Sequence, residues 1–209
     1  AAWSGDGTHL WFVRAAVPRR RLEPTDLFSA YEVPADVWVL DLQTRSESRR
    51  IRNAYHPAIA PDGNAIAVDA SWAGPRRIWL VDRNGLNPQQ VTSEGSEAVR
   101  HIHPNWSPDG RALVFQRNEQ TKFDVSVVDL ATRRMAEVTN DTYREMDPVF
   151  GADARTIYFS SDRGGGVNVW KATVGDEWRP TAPLQQLTNG AGQDVQITVS
   201  RDGRRVAFA

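Results

Sequence analysis

Histidine, carboxylate and amide side chains recur at two fixed positions along the sequence. The first position lies six residues before an aspartate in a short turn motif and is occupied by His56, His103, Asp147 and Gln196. The second lies two residues further toward the N-terminus and is occupied by His101, Glu145 and Asp194. Imidazole nitrogens and carboxylate oxygens are ligands for divalent metals and hydrogen-bond partners for polar molecules. A fold that brings the repeated positions together would therefore create a ligand-binding site.

The turn motif itself indicates what could bring them together. Ser107-Pro108-Asp109-Gly110 has related tetrapeptides that begin at Ser4, Ala60, Gly151 and Ser200, at intervals of 44 to 56 residues. Proline at the second position sets φ for a type I turn, and glycine at the fourth tolerates the exit geometry. Five copies at similar intervals indicate a repeat protein and favour a scaffold role for these aspartates over a catalytic one.

Four short apolar stretches accompany each turn and are rich in β-branched and aromatic residues, which predicts strands. The predicted fourth strands are 90–92, 137–139 and 186–188. Four antiparallel strands per repeat of this length predict an all-β fold, a β-propeller with four blades and a partial fifth. The predicted units are 1–53, 54–94, 95–140, 141–190 and a partial 191–209 within one domain. Because the fifth unit lacks two strands, we expect a piece of a six- or seven-bladed ring.

The stretch from His103 to Gln116, followed by 124–130 and 136–139, resembles the TolB-type, WD-repeat-like propeller repeat. The segment 157–170 resembles it as well. The resemblance covers nearly the whole chain and implies the fold more strongly than the function. It implies a non-enzymatic protein of the bacterial envelope, so we expect a periplasmic or exported location.

Innermost strands line the channel of a propeller, so the first repeated position should form a ring at one channel mouth, with the second close by. Oligogalacturonate lyases, whose propellers are similar, hold a metal on His and Gln side chains at such a mouth. The ring has three interpretations: hydrated polar groups around a wet channel, an adventitious or structural ion, and a catalytic divalent metal. Otherwise the sequence indicates no cofactor.

Composition narrows the class of partner. The net charge of −1 argues against nucleic acid, and the absence of cysteine rules out disulfides and thiolate metal sites. No apolar run approaches the roughly 20 residues of a membrane helix, so no membrane insertion is expected. The chain starts at Ala1 without Met, which suggests a processed or excised segment.

The first repeat contains an insertion of about 15 residues between Arg14 and Ala35, as judged from the spacing of the other repeats. It is either a solvated loop or a binding loop. Aromatic residues beside arginines in loops are also candidates for protein contacts. The protein-contact candidates are Arg19, Arg20, Arg21, Phe28, Tyr31, Trp72 and Trp178.

Three functions follow from these patterns. The first is a non-catalytic propeller that recognises a protein or peptide, with self-association through open blade edges as an added possibility. The second is an accessory propeller of a larger hydrolase, of the prolyl-oligopeptidase or amidohydrolase type. The third is a metal-dependent lyase or hydrolase with its site at the channel mouth. The sequence contains no nucleophile elbow, phosphate-binding lysine loop or zinc-protease motif, which favours the first.

Overall fold

A computed structural model describes residues 1–15 and 34–209 of the chain. These residues form strands and turns without a helix, in four four-stranded antiparallel sheets and one two-stranded sheet. The predicted all-β propeller architecture is confirmed. Five of the protein-contact candidates, Arg19, Arg20, Arg21, Phe28 and Tyr31, lie outside the described residues.

Each sheet is a meander in which strands pair in chain order. The first sheet contains β1 (Ala2–Trp3), β2 (His9–Ala15), β3 (Ala35–Asp41) and β4 (Glu47–Ile51). The second contains β5 (Ala54–Ile59), β6 (Ala65–Ala70), β7 (Arg77–Asp82) and β8 (Gln89–Gln90).

The remaining sheets follow the same plan. The third contains β9 (Val99–Trp106), β10 (Ala112–Glu119), β11 (Lys122–Asp129) and β12 (Met135–Glu137). The fourth contains β13 (Glu145–Phe150), β14 (Thr156–Ser161), β15 (Asn168–Thr173) and β16 (Gln185–Gln186). The last pair is β17 (Thr198–Val199) and β18 (Val206–Ala207).

The first strands of successive sheets contact one another, β5 with β9, β9 with β13 and β13 with β17. Three apolar clusters fill the spaces between consecutive sheets, and each is built from alternating strand residues. The sheets are therefore propeller blades whose first strands are innermost.

The repeated turn connects the first and second strands of each blade. Gly110 has φ 71° and its N–H donates to the Ser107 carbonyl at 2.9 Å. The Asp109 carboxylate accepts hydrogen bonds from the Ser107 hydroxyl at 2.6 Å and the Arg111 N–H at 3.1 Å. Through these contacts Asp109 stabilises the hairpin, as expected of a scaffold residue.

The fourth strands end earlier than predicted. β8, β12 and β16 end at Gln90, Glu137 and Gln186, so most of each predicted stretch lies beyond the ladder. The reason is that a side chain takes the place of a backbone carbonyl. Thr92 Oγ1 accepts a hydrogen bond from the Ile78 N–H at 3.0 Å, where the next residue of a longer fourth strand would accept it through its carbonyl. The same bond recurs in the next two blades, at Thr139 and Thr188.

Candidate functional site

The backbone at the ring position has an unusual conformation in successive blades. The φ angles of His56, His103, Asp147 and Gln196 are 45°, 54°, 51° and 55°. In the first three of these strands the pairing register shifts at this position, which marks a bulge. A proline, which has no N–H to lose from the ladder, follows each bulged residue there.

Left-handed backbone at a residue other than glycine costs about 1–3 kcal/mol and is concentrated at functional sites. His and Asp tolerate it better than most residues. The repeat therefore holds a set of polar side chains in a fixed, strained geometry at the inner end of each blade.

Carboxylates orient both histidines of this ring. His56 Nδ1 lies 2.7 Å from the Asp69 carboxylate, and His103 Nδ1 lies 2.9 Å from the Asp147 carboxylate. The two imidazole rings stack with centroids 3.7 Å apart and planes 30° apart. The Asp147 carboxylate also accepts the backbone N–H of Gln196 at 3.0 Å. The predicted ring residues are therefore brought together across three blade boundaries.

The protonation states follow from burial and charge. Burial and the neighbouring His103 lower the pKa of His56 despite the attraction of Asp69. Burial alone would raise the pKa of Asp69, but the charge and hydrogen bond of His56, together with Arg76, outweigh it and hold that pKa below its usual value. Asp147 behaves similarly, because the contact with His103 overcomes the effect of burial and lowers its pKa.

The histidine tautomer follows from these protonation states. At neutral pH, His56 Nδ1 carries the proton and donates a hydrogen bond to the Asp69 carboxylate. Nε2 is then the unprotonated ring nitrogen. In this tautomer Nε2 is an acceptor atom. It can accept a hydrogen bond or, together with other ligands, coordinate a metal ion. Within the described residues, no group of three or more His, Asp or Glu side chains is arranged to hold a metal ion.

A cleft adjoins the ring and shares residues with its network. It has a volume of about 670 Å³, and the aromatic residues Tyr55 and Trp72 line it together with Arg76 and Arg100. Arg76 lies 3.3 Å from the Asp69 carboxylate and 3.9 Å above the Tyr55 ring, so it connects cleft and ring. The cleft combines aromatic and arginine side chains with Glu97, and aromatic and arginine residues are common in protein-binding sites.

The second repeated position has hydrogen-bond partners outside the ring, as the contacts of His101, Glu145 and Asp194 show. His101 is completely buried, with Nδ1 2.8 Å from the Thr92 hydroxyl and Nε2 3.0 Å from Glu94. Burial lowers the pKa of His101 to about 4. The ring residues lie at the bulge, whereas the second position precedes the bulge and faces the junction between blades.

The other two members of this position have their own partners. Glu145 accepts hydrogen bonds from Ser161 at 3.0 Å and Arg163 at 2.8 Å. Burial nevertheless raises the pKa of Glu145, with Arg163 opposing the shift. The Asp194 carboxylate accepts a hydrogen bond from the Thr188 hydroxyl at 2.5 Å. These residues stabilise contacts within and between blades.

The two tryptophan candidates differ. Trp72 is partly exposed in the cleft, where its indole N–H donates to the Arg52 carbonyl at 3.1 Å and its ring meets Trp79 edge-on at 5.2 Å. Trp178 is only 7% exposed and packs edge-on against Phe150, so the expectation of an exposed aromatic there is wrong. Its loop folds back and buries the indole in the core between the third and fourth blades.

Three residues of this site, Asp69, Arg76 and Tyr55, were not among the sequence candidates. Asp69 had a usable signal, since it is a charge inside the apolar strand Ala65–Ala70 and a buried charge requires a partner. Arg76 lies in the following loop and completes that pair. Tyr55 had no signal, because an aromatic residue in a strand is ordinary.

Comparison with known proteins identifies this architecture. The model of the TolB beta propeller domain family matches residues 95–209, more than half of the chain. The chain belongs to this family. A solved structure described as a putative TolB from Agrobacterium tumefaciens superposes with a TM-score of 0.76 at 22% identity, covering 99% of this chain and 67% of that one.

Curated relatives agree with this assignment. The Tol-Pal system protein TolB of Nitratidesulfovibrio vulgaris is 27% identical over 133 residues, covering 61% of this chain and 29% of that protein. An uncharacterised protein of Agrobacterium fabrum is 26% identical over 151 residues, covering 72% of this chain and 48% of that protein. The chain thus spans about half or less of the length of these relatives.

A relative with an enzymatic name also matches this chain. Dipeptidyl-peptidase 5 of Porphyromonas gingivalis is 22% identical over 155 residues, covering 68% of this chain and 22% of that protein.

In the part of the TolB-family chain that the structure describes, no helix has the length and hydropathy needed to cross a membrane.

Proposed function

We propose that this domain is a non-catalytic propeller that binds a segment of another protein in the cleft beside the ring. The cleft carries the proposal, because Trp72 and Tyr55 line it together with Arg76 and Arg100, and the Arg76 guanidinium lies over the Tyr55 ring. Aromatic and arginine side chains contribute most of the energy at protein interfaces. The aromatic lining favours a segment with an apolar side chain.

The histidines support binding over catalysis. Thr92, His101 and Glu94 follow the order of a hydroxyl, a base and an acid, but Thr92 and His101 are 1% and 0% exposed, so no substrate reaches them. His56 and His103 both use Nδ1 to bind carboxylates that tie neighbouring strands together. A periplasmic or exported location belongs to this proposal and is supported by the likeness to the Tol-Pal system protein.

The test is a peptide selection followed by calorimetry. A displayed library of random 12-residue peptides is selected on the immobilised chain, and enriched peptides are titrated into the purified protein. We expect micromolar affinity that weakens at least tenfold in Trp72→Ala and in Arg100→Ala, at a cost of about 1.4 kcal/mol or more. Trp3→Ala and Arg111→Ala, which lie outside the cleft, are the matched controls. A lack of enriched peptides, or equal affinity in cleft and control variants, would overturn the proposal.

A second candidate is an accessory propeller of a larger hydrolase, which the likeness to dipeptidyl-peptidase 5 favours. In that case the cleft would guide a peptide substrate toward a catalytic domain outside residues 1–209. The reading frame that encodes this chain distinguishes the two, because only the second candidate requires a hydrolase domain in the same polypeptide.

A further inference from the structure

The outer strand of the first blade differs from its counterparts in length and in charge. β4 has five residues, whereas β8, β12 and β16 have two, three and two residues. The stretch 45–52, which contains β4, has four arginines and one glutamate, whereas the outer strands of the other four-stranded blades contain no arginine. The repeat does not require a long basic strand at this position, so these differences indicate a feature specific to the first blade.

The outer edge of β4 presents backbone hydrogen-bonding groups. The Asp41 N–H donates to the Ser46 carbonyl at 2.9 Å, so these two residues form a hydrogen-bonded pair of the ladder. Such pairs alternate along an antiparallel ladder, so the N–H and C=O groups of Glu47 and Arg49 point away from β3. Within residues 1–15 and 34–209, no strand pairs with this edge of β4.

The accessible part of this edge is short and well defined. Gly85, in the turn between β7 and β8, approaches β4 so closely that a Cβ atom on it would lie 2.9 Å from the Arg50 carbonyl oxygen. The turn of the second blade therefore covers the C-terminal end of β4. The backbone groups of Glu47 and Arg49 remain open to a partner strand.

The edge is held in place by the blade behind it. Ile51 is 3% exposed and packs in the core between the first two blades. The Asp41 carboxylate accepts hydrogen bonds from the Gln43 and Thr44 N–H groups at 2.8 and 3.0 Å, which fixes the turn before β4. A strand held in this way is preorganised, and preorganisation lowers the entropic cost of binding.

The arginines around this edge carry positive charge that no neighbour balances. Arg45, Arg50 and Arg52 are exposed, and none of them forms an ion pair with a carboxylate of the described residues. The one carboxylate of this stretch, Glu47, lies 2.6 Å from the Arg14 guanidinium and is already paired. Acidic side chains on a partner would complement this charge.

We propose that β4 binds an extended acidic segment of another protein by strand addition, as a fifth strand of the first blade. The outward backbone groups provide the hydrogen bonds, and the arginines select for acidic side chains. A second copy of β4 is a poorer partner, because it brings together two sets of four arginines and like charges across a strand pair are destabilising. This inference does not depend on what the cleft binds.

The test compares three short capped peptides in calorimetric titrations of the purified chain. One alternates glutamate and valine, one alternates glutamate and proline, and one alternates lysine and valine. Proline keeps the charge of the first peptide but removes N–H groups that a strand needs. We expect the glutamate–valine peptide to bind about tenfold more tightly than either of the others. Equal affinity for the proline peptide would overturn strand addition, and equal affinity for the lysine peptide would overturn the acidic preference.

Two matched pairs of variants place the binding on β4. Arg49→Pro removes an outward N–H, whereas Arg49→Ala loses the same side chain and keeps that N–H, so we expect affinity to be about tenfold lower in the proline variant. Arg50→Glu combined with Arg52→Glu should weaken binding about tenfold. Arg133→Glu combined with Arg134→Glu, in the exposed turn before β12, makes the same change of charge elsewhere and should leave the affinity unchanged. Equal affinities within either pair would overturn the proposal.

Hydrogen exchange in the wild-type complex gives a readout that does not depend on how the variants fold. We expect the Glu47 and Arg49 amides to exchange about tenfold more slowly with the glutamate–valine peptide than without it, and the amides of β12 to be unaffected. Unchanged exchange at both β4 amides would overturn the proposal. The arginines would then serve only to protect a free edge from aggregation.

Discussion

Two sets of polar residues on the same inner strands have opposite environments. His103 stands at the bulge, partly exposed, where it contacts Asp147 and stacks on His56. His101, two residues earlier, is completely buried between Thr92 and Glu94. The bulge separates the two positions, so residue type alone does not indicate which side chain is buried. The buried set should contribute more to stability than the bulge set.

The largest expected effect is on the buried set. His101→Ala removes a completely buried ring and leaves Thr92 and Glu94 without that partner, so we expect a loss of about 3 kcal/mol in the free energy of unfolding. Chemical denaturation of the variant measures it. His103→Ala is the matched control and should cost only about 1 kcal/mol. Equal losses of unfolding free energy in the two variants would contradict the distinction between the buried position and the bulge position.

The buried position should also make the stability of the protein depend on pH. His101 has a pKa of about 4 in the folded protein against 6.5 in an unfolded chain, so the unfolded state binds the proton more readily. Its stabilising contribution is therefore complete above pH 6.5 and is lost as pH falls toward 4, by about 3 kcal/mol.

Burial of His56, whose pKa is also lowered, adds to this loss in the same direction. The free energy of unfolding is measured by denaturation at several pH values between 7.5 and 4. It should fall less steeply with decreasing pH in His101→Gln than in the wild type. An unchanged slope in His101→Gln would show that the proton is taken up elsewhere.

A smaller effect should mark the threonine after each fourth strand. Thr188 Oγ1 accepts the Val169 N–H at 2.9 Å and donates to Asp194, so Thr188→Val should cost about 1–2 kcal/mol. Thr181→Val, on an exposed residue of the preceding loop, is the control and should change stability by less than about 0.5 kcal/mol. Similar values for both would mean that the hydroxyl does not connect the blades.

The sequence predicted the parts of this molecule that repeat. The turn at Asp109 and the apolar second strands recur in register, so their spacing alone indicated blades and brought His56, His103, Asp147 and Gln196 together. The bulge that divides His103 from His101 is a backbone feature with no residue signature beyond the proline that follows. Trp178 was misplaced because a loop position does not show whether the loop folds back over the core. Asp69 was detectable as a charge in an apolar strand, but its partner Arg76 required the structure.

Imidazole NMR titration tests the division between the two sets most directly. The chain has four histidines, and the His101→Gln variant assigns the resonance of interest. We expect the His101 resonance to titrate with a pKa of about 4, as a buried ring shared between two blades should. A midpoint near 6.5 would show that His101 is hydrated, and would contradict the conclusion that this position is buried at the junction between blades.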